Sequence, residues 1–409
     1  MNASERIRRS VETLRSVMQF RRIELDPVAR RLARAADIAD HRKIARRRLP
    51  RGVFDYVDGG AEDEITLTAN TAAFRRIEFR PRVLRDVGTV DPSTTLLGRP
   101  LPIPLVLAPT GFPRSVHPDG ELATARAAAR AALPYTLSTL STYSIEEVAA
   151  AATGPHWFQV YVWRDRGMVK EMIERAAASG YEAIVVTVDT AVLGRRERDV
   201  RRGFTMPPKL GIDTIIDGAL HPAWTWHFVR SDPIRFANVV GRDVGDGSSP
   251  VAIADYINTQ FDPSLSWRDI DWMRGVWDGP IVIKGIQTVA DAKVAADAGV
   301  EAIALSNHGG RQLDSSPAIV DLVEPVADVV GDRLEIICDG GVRRGGDIVK
   351  AVARGARACM AGRVHLYGLA AGGERGVTHA LAILDRDVRR TMALIGASTV
   401  GDITRDLVS

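Results

Sequence analysis

The stretch LEIICDGGVRRGGDIVKAVARGARACMAGR, Leu334–Arg363, carries the fold in miniature. The apolar run LEIIC stops at Asp339-Gly340-Gly341. The amphipathic stretch DIVKAVARGA follows and closes at Gly355. A second apolar run, ACMA, stops at Gly362-Arg363. Short apolar runs without alternation read as parallel strands buried on both faces, and the alanine-rich link between them reads as a crossover helix. The same unit repeats outward along the chain. Further runs are PLVLAP (104–109), PYTLS (134–138), HWFQVYV (156–162), AIVVTVD (183–189), PIVIKG (280–285) and AIALSN (302–307). Gly180, Gly299 and Gly355 fall where helix C′ residues belong. Eight strand–helix units predict a closed (β/α)8 barrel of α/β class. A doubly wound sheet needs neither eight units nor a polar residue at nearly every strand end. No G-x-G-x-x-G follows the first run, which argues against a Rossmann-type NAD site.

The periodicity breaks between Asp189 and Trp267, where RRERDVRRGF, PPKLG, HPAWTWHF and GDGSSP show no strand–helix unit. We read an insertion of about 190–266 on the catalytic face, since connections this long are usually functional. Residues 1–37 read as a basic helical extension and 38–409 as the barrel unit. Residues 1–51 hold 15 Lys/Arg against 6 Asp/Glu, although the whole chain is only +3. That total gives no case for nucleic acid. Cys338 and Cys359 lie in apolar runs, so neither a disulfide framework nor a metal cluster is expected, and a cytoplasmic setting is. Neither a signal-peptide core nor a membrane-spanning run is present.

The strand ends supply the chemistry. They carry Pro109-Thr110-Gly111, Ser138, Gln159 and Tyr161, Thr187 and Asp189, Lys284, Ser306-Asn307-His308, Asp339-Gly340-Gly341, and Gly362-Arg363. Loops after the seventh and eighth strands form the usual phosphate site of such barrels. Glycine N–H groups and Arg343 and Arg363 suit it, although a Gly-Gly pair also marks an ordinary turn. His308 followed by Arg311 suits a base beside an anion clamp, and Asp189 can orient the imidazole. Lys284 ends an apolar strand. Either it forms a salt bridge to Asp189 or Asp339, or it stabilises an anionic reduced cofactor.

At these residues the chain resembles the FMN-dependent α-hydroxy acid dehydrogenase/oxidase family. The matching blocks are FDYVDGGAEDE (54–64), LAPTGF (107–112), FQVYV (158–162), TVDTAVLGRRERD (187–199), SNHGGRQLD (306–314) and DGGVRRGGD (339–347). The resemblance implies FMN and a set of roles. His308 is the base, Asp189 its partner, and Arg311 and Arg196 grip the substrate carboxylate with Tyr56. Tyr161 bonds the substrate hydroxyl, and Lys284 lies beside the flavin N1–C2 edge. Pro109, Thr110, Gly111, Ser138, Gln159, Thr187 and Ser306 face the ring and ribityl. Asp339, Gly341, Arg343, Gly362 and Arg363 hold the ribityl phosphate.

The expected reaction is oxidation of a small L-2-hydroxy acid, L-lactate first, with electrons passed to a quinone or other carrier. The alternatives are an oxidase using dioxygen, an enzyme for a larger hydroxy acid, and a non-catalytic barrel for a phosphorylated ligand. Leu140 stands where glycolate oxidases typically have Trp, and is expected in the substrate pocket. Gly111 matches several dehydrogenases where many oxidases have Ala. HPAWTWHFVR (221–230) reads as an interfacial anchor at the inner face of the cell membrane, or as aromatics packing the loop onto the barrel. The family also implies a homotetramer.

Overall fold

The computed structural model describes residues 24–203, 211–239 and 259–409, with residues 4–5, 8–9 and 12–14. An antiparallel hairpin, β1 (Thr94–Leu96) and β2 (Arg99–Leu101), precedes the barrel. The barrel strands are β3 (Leu105–Leu107), β4 (Tyr135–Ser138), β5 (His156–Tyr161), β6 (Ala183–Thr187), β7 (Ile281–Ile286), β8 (Ala302–Ser306), β9 (Glu335–Asp339) and β10 (Ala358–Ala361). They run parallel and in chain order, and β10 closes the ring by pairing with both β9 and β3. This is the (β/α)8 barrel the repeating units predict. A helix follows each strand, the last being the long Arg363–Ile395 helix, broken at Gly372-Gly373.

Side chains alternate along a strand, so each one divides between two cores. Val106, Trp157, Val185, Val282, Ala304, Ile337 and Met360 fill the barrel interior, with Leu96 and Leu101 of the hairpin. Phe158, Ile184, Val186, Ile283, Ile303, Leu305 and Ile336 face outward against the helices. Burying each such aliphatic side chain is worth roughly 1.5–3 kcal/mol, so the register is strongly specified. The interior parity, carried two residues further, reaches Gln159, Thr187, Lys284, Ser306 and Asp339. The hairpin contacts Glu335 and Glu182 at the strand starts. It therefore plugs the N-terminal end and leaves the polar ring at the other.

Within the insertion, helices span Glu197–Arg201, Ile212–Leu220 and Pro222–Arg230. Most of PPKLG (207–210) and all of GDGSSP (245–250) lie outside the described residues, as does most of the chain before Glu24. The end of the N-terminal extension packs onto the last helix of the barrel. Asp26 caps the helix Pro27–Leu32. Val28 and Leu32 of that helix pack against Gly372 of the long helix, where a Cβ would come within 2.8 Å of Val28. Cys338 and Cys359 are buried free thiols facing each other across β9 and β10.

Candidate active site

His308 lies two residues beyond β8, at a backbone φ of 58°. Its backbone N–H donates to Ser306 Oγ at 3.0 Å. Its Nδ1 is 3.0 Å from Asp189 Oδ1. With Asp189 ionised, Nδ1 carries the proton and Nε2 keeps a free lone pair. Burial lowers the imidazole below its ordinary value, helped by Lys284 and Arg311, and Asp189 only partly opposes this. Burial pushes Asp189 up, but His308 and Lys284 together hold it below the usual carboxylate value. The pair is thus a neutral imidazole on a carboxylate at neutral pH. Gly285 makes room for it: at φ 116°, a Cβ there would lie 2.9 Å from the Asp189 Cβ and backbone N.

Beneath the pair, Lys284 Nζ sits 2.9 Å from Asp339 Oδ2 and donates to Ser306 Oγ at 3.0 Å. Ser306 Oγ donates to Asp339 Oδ2 at 2.7 Å. Of the two carboxylates weighed for Lys284, Asp339 is the direct partner. Burial disfavours the ammonium, yet Asp339 and Asp189 outweigh it and raise Lys284 above its ordinary value. A permanent cation therefore lies in the cavity floor.

Arg311 donates to the carbonyls of Tyr56 at 2.6 Å and Gly59 at 3.1 Å, and its guanidinium lies over the Tyr56 ring. Burial and the neighbouring Arg196 bring it down to about 10, so it stays charged. Arg196 is 3.8 Å from Asp199. Burial raises both Tyr56 and Tyr161, keeping their phenols protonated. Arg311, Arg196, Tyr56, Tyr161, His308, Lys284 and Leu140 all line one cavity of about 1180 Å³. Pro109, Thr110, Gly111, Ser138, Gln159, Thr187, Asp339, Gly341, Arg343, Gly362 and Arg363 line it too. Ser306 and Asp189 lie behind that lining, holding Lys284 and His308.

At the far end, Arg363 opens the long helix, directly after Gly362. Its guanidinium donates to the carbonyls of Val57 at 3.0 Å, Gly309 at 2.9 Å and Gly59 at 2.8 Å. Arg343 donates to the Val342 carbonyl. The helix N-terminus and two guanidinium groups make this end electropositive, as a phosphate requires. Midway, Gln159 Nε2 and Thr110 Oγ1 are buried without a protein partner. They are ready donors for the heteroatom edge of a planar ring, and the residues fit FMN.

Some residues that build the site were given no role in the sequence reading. Asn70 and Asn307 exchange amide bonds at 2.8 and 3.0 Å, fixing the turn before His308. Gln312 donates to the carbonyls of Asp189 and Val192 and accepts from Gly194 N–H, so it ties the insertion's start to the His308 turn. Gln312 and Asn307 lie inside the quoted SNHGGRQLD block, but Asn70 stands in an ordinary helix with no local signal. Trp224, Phe228 and Phe236 of the insertion also line the cavity.

A barrel mouth equipped in this way belongs to the flavin-dependent oxidoreductases. Residues 45–409 match the FMN-dependent dehydrogenase family, and the chain belongs to it. It is 44% identical over 371 residues to an L-lactate dehydrogenase of Caulobacter vibrioides, covering 90% of this chain and 96% of that one. It is 40% identical over 371 residues to glycolate oxidase 1 of Oryza sativa subsp. indica, covering 90% and 94%. A crystal structure of monotopic membrane protein (S)-mandelate dehydrogenase superposes with a TM-score of 0.89 at 38% identity, covering 92% and 99%. The chain is therefore an FMN-dependent oxidoreductase of α-hydroxy acids. Among the described residues, no helix is long and apolar enough to cross a membrane.

Proposed function

We propose that this enzyme oxidises L-lactate to pyruvate and passes the electrons to a quinone or another carrier. The observation that carries the reading is the neutral His308 on Asp189, with Arg311 and Lys284 lining the same cavity. In the proposed mechanism Arg311 and Arg196 hold the substrate carboxylate with Tyr56, and Tyr161 bonds the hydroxyl. This fixes the α-carbon before reaction and removes much of the entropic cost of alignment. His308 Nε2 takes a proton from substrate, and Asp189 stabilises the imidazolium. FMN, when bound, supplies the two-electron acceptor. Thr110, Ser138, Gln159 and Thr187 would hold its ring and ribityl, and Arg343, Gly362 and Arg363 its phosphate. Lys284 would offer the bound cofactor a fixed positive charge at the cavity floor, able to stabilise negative charge gained on reduction.

Support for lactate comes from the 44% identical L-lactate dehydrogenase and from Leu140 in the cavity wall. A larger hydroxy acid is the second reading, favoured by the mandelate dehydrogenase neighbour. The deciding experiment is anaerobic. L-lactate should bleach the yellow enzyme faster than glycolate or (S)-mandelate at equal concentration, and faster bleaching by mandelate would shift the assignment.

For the acceptor, the insertion offers a surface. Ile212, Ile215, Leu220, Trp226 and Val229 are each more than half exposed. Arg230 stacks over the Trp226 ring. Trp224 instead points inward and donates to the Ser115 carbonyl at 2.8 Å. On this reading Trp226 takes the interfacial role and Trp224 the packing role. An apolar face beside cations suits weak peripheral binding to anionic membranes, which would place the enzyme at the inner face of the cell membrane. Co-sedimentation with anionic liposomes tests the surface. Stopped-flow reoxidation tests the acceptor, because fast peroxide formation from dioxygen would replace the dehydrogenase by an oxidase. A homotetramer is the assembly proposed, with 38–409 as the catalytic unit and 1–37 as the extension.

A further inference from the structure

The stretch Asp232–Asn238, inside the insertion, lies against the barrel, and five of its seven residues are fastened to segments of the cavity wall. Buried Arg114, just past the first barrel strand, donates to the carbonyls of Asp232 and Pro233. Phe236 meets Phe112 edge-to-face at 5.0 Å. Ala237 N–H donates to the Ser141 carbonyl at 3.2 Å. Asn238 makes the tightest join. Its Nδ2 donates to Ser141 Oγ at 2.9 Å, and its Oδ1 accepts from Ile145 N–H at 3.0 Å. Its own carbonyl accepts from Arg175. Its side chain is buried.

The loop so gripped, residues 139–144, carries Leu140. The Leu140 carbonyl accepts from Phe112 N–H, and its side chain stands 3.6 Å from where a Cβ on Gly111 would be. From below, the buried Glu121 carboxylate accepts from Thr142 N–H and Oγ–H. The Leu140 wall is therefore held from two sides, by Phe112 and Glu121 on the barrel side and by Ala237 and Asn238 of the insertion.

We infer that Asn238 is a positioning residue that sets substrate selectivity, because its amide joins the insertion to the loop whose Leu140 walls the substrate cavity. It touches neither the reacting groups nor the proton path. Its effect passes through the placement of Leu140, so the inference rests on the proposed reading that Leu140 faces substrate. Truncating Asn238 leaves Ile145 N–H without its acceptor and frees the loop to shift. A wall that moves by part of a methylene changes which acyl chain fits, while the base and the carboxylate clamp stay in place.

The test uses the full-length FMN-loaded enzyme with lactate, glycolate and (S)-mandelate, well below the melting temperature. Asn238→Ala should shift the ratio of kcat/KM between lactate and mandelate by roughly threefold to thirtyfold, the range for one altered apolar contact. The shift should come through KM, with the flavin spectrum and its pH profile unchanged. Ser141→Ala removes the amide's acceptor, together with the hydroxyl's own bond to the Tyr143 carbonyl, and should shift the same ratio in the same direction by less. It keeps the question decidable if Asn238→Ala folds poorly. Asn238→Asp keeps the Ile145 bond and should recover part of the wild-type ratio. Leu140→Trp, run in parallel, tests the underlying reading. An unchanged ratio there removes the wall and the inference together. A changed ratio with Leu140→Trp, but wild-type ratios with Asn238→Ala or Ser141→Ala, overturns the inference alone.

Discussion

Replacing Asp189 by Asn removes one charge from the pair with His308 and almost nothing else. The two side chains match in shape, and Gln312 still holds the backbone carbonyl. The amide oxygen can still accept from Nδ1–H, so orientation is kept. What is lost is the attraction between carboxylate and imidazolium. At the observed 3.0 Å this is about 5 kcal/mol for unit charges in an effective dielectric near 20. Only part of a proton has moved at the transition state, and the retained hydrogen bond offsets some of the loss. A barrier increase of about 2–4 kcal/mol remains, which lowers kcat roughly 30- to 1,000-fold. The sign of the pH effect is fixed as well. Asp189 raises His308, so its loss lowers the imidazole further. The acid limb of kcat/KM, already below the ordinary value of 6.5, should move to lower pH. Anaerobic rapid mixing that follows flavin bleaching reads both quantities. A kcat within about fivefold of wild type, or an acid limb moved upward, would refute the coupling argued here.

Arg311→Met should lower kcat/KM through substrate affinity, by about 2–5 kcal/mol for a carboxylate losing its buried charged partner. His308→Gln should instead retain product binding and lose turnover; pyruvate titration beside single-turnover kinetics separates the two. Gly285→Ala should cost about 1–3 kcal/mol of stability and also lower kcat, because the added Cβ meets Asp189 at 2.9 Å. A wild-type melting curve and rate would show that Asp189 yields freely. Lys284→Met should destabilise the fold by about 3–5 kcal/mol, since it leaves Asp339 buried without its cation. Lys284 is raised in the folded state, so its stabilisation is full below the ordinary 10.5 and lost only as pH climbs past its raised value. The gap in melting temperature between wild type and variant should therefore stay flat through neutral pH.

The barrel was legible because all eight strands are short apolar runs ended by polar residues, a pattern set by burial on both faces. His308, Asp189 and Lys284 were legible because each lies at or just past such an end. Which carboxylate Lys284 takes was not, since Asp189 and Asp339 both stand at strand ends and only the pairing register, which sets Ser306 opposite Asp339, brings that carboxylate to Lys284. Arg363 was read as a phosphate ligand, whereas its guanidinium also gathers the carbonyls of Val57, Gly59 and Gly309, contacts that no local pattern encodes. The insertion's helices escaped notice for a related reason. Ile212–Leu220 and Pro222–Arg230 contain no buried residue, so the core-facing stripe that betrays a helix elsewhere is weak.

The two-residue alternation of the barrel strands also bears on how such an enzyme can change. Deleting one residue of β7 ahead of Lys284 would turn Lys284 out among the helices and bring an aliphatic neighbour into the mouth. A substitution at the same place alters one group. Length variation is thus confined to connections such as the one leaving β6, where the pleat imposes no phase. New hydroxy acids and new acceptors are reached by redrawing loops around a ring of polar groups whose spacing cannot drift.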